Sequence, residues 1–569
     1  MSDHHDNELG YVTAVSGARC TVRLHKREDG DEHDRVTIGR LVAVHTGTAE
    51  VIGVVSRVTV QSPPPSEPGG SIVIDIDFLG EIKAHGTPKA FFQRGVSEYP
   101  TIGDTTGFLG SADLALIHHI GEGQVIEVGK LKLDASVPAF INFEELLRKH
   151  FAVLGTTGVG KSTSVALILQ EILKVKASLR IFLFDPHNEY AHCFGELAYV
   201  VSPKNLQLPF WLFNFEEIVD VFFRGRPGVE EETEILSELI PIAKAQFAAN
   251  ARADRIQLRK ASSNGYTADT PVPYRISDLV ALINDRMGKL ENRQSWTKYN
   301  RLIQRIESLG HDSRYTFMFN NLFVEDMMVR VLGDLFRMPT HGRPITVMQL
   351  AGFPAEVVDS VVSVMCRMAF DFGVWSDGAA PLLVVCEESH RYAPADRKLG
   401  FGPTRKAISR IAKEGRKYGV FLGAITQRPA DLDPTILSQC STVFAMRMAN
   451  ERDQAIVRSA VPDAGASLIE LLASLGTREA VAFGEGVALP MRFRFADMAA
   501  DRLPRSQSGW QVRLDADGQI DRDFMEAVVE RWREASTTNS RPKGGLASLD
   551  EALEVNAGLG APLIPRRAG

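Results

Sequence analysis

The chain has 569 residues, a length that fits about three or four domains. Hydrophobic residues make up 44% and charged residues 24% of the chain, as in soluble globular proteins. No apolar run approaches the roughly 18 residues of a membrane span, so we expect no membrane partner. The formal net charge of −7 excludes a surface that is basic throughout. A nucleic-acid partner would therefore require a local basic patch.

The cysteines and the first residues bear on the cellular compartment. None of the cysteines has C-x-x-C spacing, so they predict neither a disulfide framework nor a zinc site; they are Cys20, Cys193, Cys366, Cys386 and Cys440. The opening MSDHHDNELGY lacks the basic and apolar regions of a signal peptide. We therefore expect a cytoplasmic protein in a reducing compartment.

The first 95 residues are predicted to form a small β-barrel or sandwich. Runs such as RLVAVHTG and AEVIGVVSRVTV are rich in β-branched residues and are separated by Gly, Asp and Pro. This pattern is typical of short strands joined by turns. QSPPPSEPGG (61–70) is predicted to be a loop between two strands. We assign residues 1–95 to an N-terminal β-barrel domain.

The middle of the chain is predicted to be α/β. FAVLG (151–155) is a predicted buried strand, residues 164–175 a predicted helix, and LRIFLFDPH the next strand. This spacing indicates a βαβ unit, and so a parallel sheet with helices on its faces. The predicted regions are a linker with the first part of the core (96–204), a helical insertion (205–340), the second part of the core (341–499) and a C-terminal helix with a polar tail (500–569).

GTTGVGKST (155–163) follows the first predicted strand of the α/β region, FAVLG, and begins the predicted helix at 164–175. It matches G-x-x-x-x-G-K-[ST], the loop that holds nucleotide phosphates, in the structural context that the motif requires. Its glycines let backbone N–H groups turn towards phosphates, Lys161 adds a point charge, and the Ser162 hydroxyl ligates Mg²⁺. We predict ATP and Mg²⁺ as cofactors, bound through Gly155, Thr156, Thr157, Gly158, Val159, Gly160, Lys161, Ser162 and Thr163.

The acidic pair in PLLVVCEESHRY comes directly after another predicted strand. Glu388 is the predicted catalytic carboxylate that positions water. Glu387 is predicted to act in the metal shell through a water, which suits Mg²⁺ because this ion keeps several waters in proteins. Two alternatives stay open, namely a solvated acidic turn and a protein that binds nucleotide with weak hydrolysis.

Two further strand ends supply polar residues. Gln427 in ITQRP has an amide that can bond both a γ-phosphate oxygen and water, and we assign it a catalytic role; the alternative is a capping amide. Asp185 and Glu189 in FDPHNEY follow the second strand of the βαβ unit. Ligands bind at the carboxyl ends of parallel strands, so both acids are predicted to reach the metal or the attacking water.

The stretch DRKLGFGPTRKAISRIAKEGRK (396–417) carries eight basic and two acidic side chains. Its first half is predicted to be a loop and its second half a helix. Arg397, Lys398, Arg405 and Lys406 are predicted to bind DNA phosphates without sequence choice. The alternative is an ordinary solvated helix face.

Two arginines are candidates for an arginine finger that acts across a subunit boundary. Arg416 lies in KEGRKYG just before a predicted strand, and Arg148 lies just before the strand of the phosphate loop. The sequence does not choose between them.

Together these motifs resemble the HerA family of the FtsK–HerA superfamily of motor ATPases. The resemblance covers most of residues 8–495. It rests on the order of RKHFAVLGTTGVGKST, FDPHNEY, WLFNFEEI, VVCEESHRYAP and RIAKEGRKYGVFLGAITQRPADLDP, followed by a late LPMRFRF. The chain departs from the family pattern at Glu387, where Asp is common, at Asn188, where Gly is common, and at Lys149, where Arg is frequent.

The resemblance implies a RecA-like P-loop core in a homo-hexameric ring, with ATP at subunit interfaces and double-stranded DNA in the channel. It also implies that the barrel docks a partner, either a nuclease or a defence effector such as a sirtuin-like NAD-consuming protein.

Three functions remain open at this point. The first is an ATP-driven translocase or helicase on double-stranded DNA that works with a nuclease in end processing or antiphage defence. The second is a ring scaffold that assembles and regulates a defence effector. The third is a conjugation or secretion ATPase.

Overall fold

A computed structural model gives the structure of the chain and describes most of its residues. The described ranges are 8–25, 36–47, 49–61, 71–120, 123–223, 227–253, 265–289, 293–319, 324–353, 355–460, 466–504, 525–526 and 529–530. Most of the predicted loop at 61–70 and of the predicted helix in the C-terminal tail lies outside these ranges. No described helix combines the length and the apolar character needed to cross a membrane.

The N-terminal domain is a six-stranded antiparallel β-barrel. Its strand order is β2-β1-β7-β3-β4-β5, and the β2–β5 pairing closes it. A further strand, β6, pairs with the last residues of β5, 80–83. The strands are Glu8–Ser16 (β1), Arg19–Leu24 (β2), Leu41–His45 (β3), Ala49–Gln61 (β4), Ser71–Lys83 (β5), Phe91–Arg94 (β6) and Thr105–Phe108 (β7). The barrel sheet therefore continues past residue 95, where the sequence places the end of the domain.

The second sheet has eleven strands in the order β12-β13-β11-β14-β15-β10-β16-β17-β18-β8-β9. The strands from β12 to β16 are parallel, and the remaining pairings are antiparallel. The strands are Val125–Leu131 (β8), Pro138–Asn142 (β9), His150–Leu154 (β10), Arg180–Asp185 (β11), Ala198–Val201 (β12), Ile345–Gln349 (β13), Leu382–Cys386 (β14), Val420–Thr426 (β15), Cys440–Met446 (β16), Glu479–Gly484 (β17) and Met491–Phe495 (β18).

Helices flank this sheet and fill the chain between β12 and β13, where the sequence predicts a helical insertion. Those in the insertion are Phe215–Phe223 (α4), Glu230–Ala253 (α5), Ile276–Gly288 (α6), Arg293–His311 (α7), Thr316–Phe319 (α8) and Met328–Leu335 (α9). The others are Ser111–Ile117 (α1), Phe143–Arg148 (α2), Lys161–Val175 (α3), Ala355–Trp375 (α10), Ser389–Tyr392 (α11), Gly402–Glu414 (α12), Pro434–Ser438 (α13), Glu451–Ala460 (α14) and Ala466–Ile469 (α15).

The central strands are buried on both faces, which explains their unbroken apolar runs. Every residue of β10 and of β14 is buried, as expected for parallel strands with helices on both sides. The barrel has its own interior, formed in part by Val42 and Val44, while Leu41 and Ala43 from the same strand join the core of the α/β domain. Alternate side chains of β3 thus pack into two separate hydrophobic cores. The predicted α/β fold with an N-terminal barrel and a helical insertion is confirmed.

Candidate functional site

Four neighbouring parallel strands end side by side and place the predicted site residues along one edge of the sheet. β11, β14, β15 and β10 are adjacent in that order, and the phosphate loop follows β10. Because parallel strands all end at the same edge, their following loops converge there. We call this edge, which carries the loops after Leu154, Asp185, Cys386 and Thr426, the carboxyl edge.

The phosphate loop has the backbone that its glycines make possible. Gly158 and Gly160 have φ angles of +77° and +96°, a region that other residues rarely adopt. A Cβ added at Gly158 would meet nothing within 4 Å, so this part of the loop faces open space. The Lys161 ammonium donates to the Thr156 carbonyl at 3.1 Å and is 7% exposed. This hydrogen bond stabilises the conformation of the loop, and the Lys161 ammonium lies beside an open cleft.

The first helical turn presents the residue predicted to ligate the metal. The Ser162 hydroxyl donates to Oε2 of Glu189 at 2.8 Å, so the predicted ligand and an acid from the next strand end lie together. Glu189 lines the cleft beside the loop.

Asp185 does not line this cleft. Its two carboxylate oxygens accept the backbone N–H groups of Glu189 at 3.0 Å and Tyr190 at 2.9 Å, and the residue is fully buried. Burial raises the pKa of Asp185, and the two N–H donors oppose that shift. Asp185 therefore shapes the loop that carries Glu189 and is not among the residues that line the cleft.

Glu387 is buried and has a partner that sequence reasoning missed. The Tyr190 hydroxyl donates to its Oε2 at 2.7 Å. Burial raises the pKa of Glu387 to about 8; the Tyr190 hydrogen bond and the Lys161 charge oppose this shift, and the Glu388 charge adds to it. The carboxylate form of Glu387 thus depends on its neighbours, and a cation in the cleft would favour it further.

Glu388 is held in a conformation that is costly for its residue type. Its backbone lies in the left-handed region at φ +53°, which costs about 1–3 kcal/mol and is typical of functional sites. Its Oε2 is buried and has no hydrogen-bond partner among the described residues, although His390 Nδ1 lies 3.3 Å away. A buried carboxylate oxygen without a hydrogen-bond partner is unusual, and such an oxygen can accept a hydrogen bond from a water.

Gln427 lies beside the phosphate loop. Its side-chain oxygen accepts a hydrogen bond from the Thr157 hydroxyl. The same strand end positions His390, whose Nδ1 lies 2.9 Å from the Thr426 hydroxyl. The loop, the acidic pair and Gln427 therefore meet in one place.

The resulting cleft has a volume of about 860 Å³ and includes residues between positions 477 and 504 that sequence reasoning did not select. Arg478 and Asp497 form an ion pair at its wall. Arg478 comes just before β17 and Asp497 just after β18, so both reach the cleft through the antiparallel part of the sheet. The wall also includes Thr477, Met498, Leu503 and Pro504.

The two candidate finger arginines lie at the opposite edge of the sheet. Arg148 ends α2 just before β10, and its 70%-exposed side chain pairs with Glu145 at 2.7 Å. Arg416 is exposed in the turn before β15. A seven-residue strand such as β15 is about 20 Å long. Neither arginine lies in the cleft of its own chain.

The predicted DNA-binding residues form a separate surface. Arg397 and Lys398 are exposed in the loop between α11 and α12, as the sequence predicts. Arg405 and Lys406 lie in the first half of α12, and Lys406 pairs with Glu216 at 3.2 Å. Both side chains of that pair are mostly exposed, so the pair is weak and leaves Lys406 free to exchange partners.

The groups in the cleft fit a nucleotide and Mg²⁺. The open loop and Lys161 suit phosphate oxygens, while Ser162, Glu189 and Glu387 offer oxygens to the cation. Within the described residues no cluster of three or more His, Cys, Asp or Glu forms a metal cage. Mg²⁺ is usually held by one or two protein oxygens, waters and substrate phosphates.

Parts of the chain are similar to known proteins. A protein family described as "Helicase HerA, central domain" matches residues 126–369. The chain is 27% identical over 423 residues to a probable helicase of Methanocaldococcus jannaschii, across 72% of this chain and 75% of that protein. It is 26% identical over 407 residues to the DNA double-strand break repair helicase HerA of Pyrococcus furiosus, across 65% and 69% respectively. A solved structure of VirB4 from Thermoanaerobacter pseudethanolicus aligns with 68% of this chain and 99% of its own, at a TM-score of 0.44 and 14% identity.

Proposed function

The chain belongs to the HerA family of P-loop ATPases, and from this premise we propose that it hydrolyses ATP to move along or unwind double-stranded DNA. The observation that carries the proposal is the convergence of Lys161, Ser162, Glu387, Glu388 and Gln427 on one open cleft. Phosphate binding, metal binding and water activation each find a suitable group there.

In this mechanism each residue has one task. Lys161 and the loop N–H groups bind the phosphates, and Ser162 and Glu387 would hold Mg²⁺, which neutralises charge on the phosphate oxygens when bound. Glu388 accepts a proton from the attacking water through its free oxygen. Gln427, bonded to Thr157 of the loop, senses whether the terminal phosphate is present.

The DNA contact is made by the loop and helix that follow the acidic pair. Only the four-residue helix α11 and a short loop separate Glu388 from Arg397 and Lys398. A movement at the catalytic carboxylate can therefore shift the basic loop directly. Contacts from basic side chains to phosphates suit a motor because they carry no sequence information.

We further propose a homo-hexameric ring with a nuclease or defence effector docked on the barrel. The end of the β4–β5 hairpin supports a docking role, since Val60 and Ile72 pair directly with each other and are 73% and 47% exposed. Interaction sites are often larger contiguous apolar patches, and this pair would form part of one. The same feature supports the second candidate function, a ring scaffold that regulates an effector.

The test measures ATP turnover by the full-length protein with and without double-stranded DNA. Glu388→Gln keeps the size of the side chain but cannot accept a proton. We expect it to lower kcat by about 10²–10³-fold while ATP still binds. The pair Arg397→Ala and Lys398→Ala is expected to remove the DNA stimulation while basal turnover stays.

The matched control for the basic pair is Lys174→Ala with Lys176→Ala, two exposed lysines at the far end of α3. This control should keep full DNA stimulation. Undiminished turnover in Glu388→Gln would refute the assigned chemistry. Full DNA stimulation in the Arg397 and Lys398 double variant would refute the assigned DNA surface.

A further inference from the structure

We propose that Arg478 binds the nucleotide phosphates from within the same chain, and that Asp497 holds its guanidinium in their absence. The proposal rests on the proposed ATP-binding function and adds a second cation to the cleft. It concerns a residue outside the phosphate-loop and acidic motifs.

The backbone of Arg478 is fixed to the phosphate loop and to the sheet. Its N–H donates to the Val159 carbonyl at 2.8 Å, and its own carbonyl accepts the N–H of Phe495 at 2.9 Å. The first bond joins Arg478 to the loop itself, and the second joins it to the end of β18. Any movement of the loop on nucleotide binding therefore also moves Arg478.

The side chain of Arg478 runs along the loop. A Cβ added at Gly160 would lie 2.7 Å from the Arg478 Cγ, so the absence of a side chain at Gly160 makes room for the arginine stem. The stem thus passes over the residue just before the N-terminus of α3. Backbone N–H groups at such a terminus attract anions.

The conformation of Arg478 is one that arginine rarely adopts. Its φ of +61° lies in the left-handed region, where glycine and asparagine are the favoured residues. The two backbone hydrogen bonds hold it there. Strain that is maintained in this way is typical of functional positions.

The guanidinium now pairs with an acid that can release it. Asp497 is 72% exposed, whereas Arg478 is 23% exposed. An ion pair with one partner in solvent is weak. Phosphates carry more negative charge than one carboxylate and match the planar arginine fork, so they displace Asp497.

The position of Arg478 also indicates which phosphates its guanidinium contacts. Its stem lies against Gly160, whereas Glu387, Glu388 and Gln427 mark the end of the cleft where the terminal phosphate is cleaved. Arg478 contacts the phosphates that ATP and ADP share. It is a binding residue and does not sense the terminal phosphate.

The test measures equilibrium binding of ATP, ADP and adenosine to the full-length chain. Arg478→Asn removes the cation but suits the left-handed backbone, so the fold should be kept, as thermal unfolding will show. We expect about tenfold weaker binding of both ATP and ADP, and unchanged binding of adenosine. Asp497→Asn removes the competing acid and is expected to tighten ATP and ADP binding severalfold.

The double variant completes the test. If Asp497 acts through Arg478, then Asp497→Asn has no effect on affinity in the Arg478→Asn background. Arg458→Asn, which removes an exposed arginine on α14 outside the cleft, should leave all affinities unchanged. Equal ATP affinity in Arg478→Asn and the wild type would overturn the inference, as would weaker binding in Asp497→Asn.

Lys161→Ala separates this inference from the proposed function. Loss of ATP binding in Lys161→Ala together with normal binding in Arg478→Asn would refute only the role of Arg478. Normal binding in Lys161→Ala would refute the proposed nucleotide site itself.

Discussion

Tyr190 is the residue on which the charge state of Glu387 depends most directly. It is fully buried, and its hydroxyl donates to the carboxylate at 2.7 Å. Burial raises the pKa of Glu387 to about 8, and the Tyr190 hydrogen bond lowers it. A hydrogen bond to the charged form favours that form, so Tyr190 keeps more of Glu387 ready for a cation at neutral pH.

Replacing Tyr190 by Phe should therefore weaken the use of Mg²⁺. Without the hydroxyl, the pKa of Glu387 rises further and more of the residue is protonated at pH 7. We expect the Mg²⁺ concentration for half-maximal ATP turnover to rise about three- to tenfold. The acidic limb of the pH–activity profile should also move to higher pH. Both are measured by titrating Mg²⁺ and pH in a steady-state ATPase assay.

Tyr392→Phe is the matched control for this substitution. Tyr392 is also buried, but its hydroxyl finds no partner among the described residues. Its loss should leave the Mg²⁺ requirement unchanged. An unchanged Mg²⁺ requirement in Tyr190→Phe would show that Glu387 does not contribute to cation binding through this contact.

At the scale of elements, the sequence predicted the central strands and the helix after the basic loop. FAVL within β10 and LLVVC in β14 are short, wholly apolar runs, and burial on both faces of a parallel sheet requires such runs. The predicted helix within 396–417 is present as α12. The convergence of Ser162, Glu189, Glu387, Glu388 and Gln427 followed from one rule, that loops after parallel strands meet at one edge.

The antiparallel part of the sheet was not predictable in the same way, and neither were the residues that it places at the cleft. β18 pairs with β8, a strand more than three hundred residues earlier, and no local pattern encodes that pairing. Arg478 reaches the cleft because β17, which it precedes, pairs with β16, and β16 lies next to the strand of the phosphate loop. The backbone contacts of Asp185 were not predicted for a different reason. A short acidic side chain followed by backbone N–H groups is also a local cap, and here the cap is the observed role.

His150 joins three elements and makes their packing sensitive to pH. Its Nε2 donates to the Ala412 carbonyl at 2.9 Å, and its Nδ1 accepts the N–H of Leu422 at 3.0 Å. These bonds link β10, α12 and β15. Burial lowers the pKa of His150 to about 4, below the ordinary value of 6.5. Between these values the unfolded chain binds the extra proton, so stability is lost as pH falls.

His150→Gln should isolate this effect. The difference in unfolding free energy between the wild type and the variant should shrink as pH falls from 6.5 towards 4.5, by about 1.4 kcal/mol for each pH unit inside the window. Glu387, whose pKa is raised, has the opposite pH dependence, but it is present in both proteins and cancels. Urea unfolding at several pH values measures the difference.

A pH-independent difference for His150→Gln would show that the folded state does not depress the pKa of His150.

At the scale of the whole molecule, the two edges of the large sheet carry complementary halves of one proposed active site. The cleft is at the carboxyl edge, whereas Arg148 and Arg416 lie at the other edge, about 20 Å away along a strand such as β15. A side chain cannot span that distance within its own chain. If either arginine stabilises the transferred phosphoryl group, it must do so in the cleft of a neighbouring copy.

Mixing two inactive variants tests this arrangement. Glu388→Gln inactivates the cleft of its own chain, and Arg416→Ala is expected to inactivate the cleft of its neighbour. In a randomly mixed ring, about a quarter of the clefts combine an intact Glu388 with an arginine from the adjoining copy. An equimolar mixture should therefore recover up to about a quarter of wild-type ATP turnover, although each variant alone is inactive.

Mixing Glu388→Gln with Lys161→Ala provides the decisive control, because both substitutions act in the cleft of their own chain and no mixed cleft is complete. That mixture should stay inactive while its assembly state, measured by native mass spectrometry, matches the wild type. Repeating the experiment with Arg148→Ala shows which of the two arginines crosses the boundary. If neither arginine variant is complemented although mixed rings form, then the cleft works without a residue from its neighbour. In that case neither Arg148 nor Arg416 acts as an arginine finger.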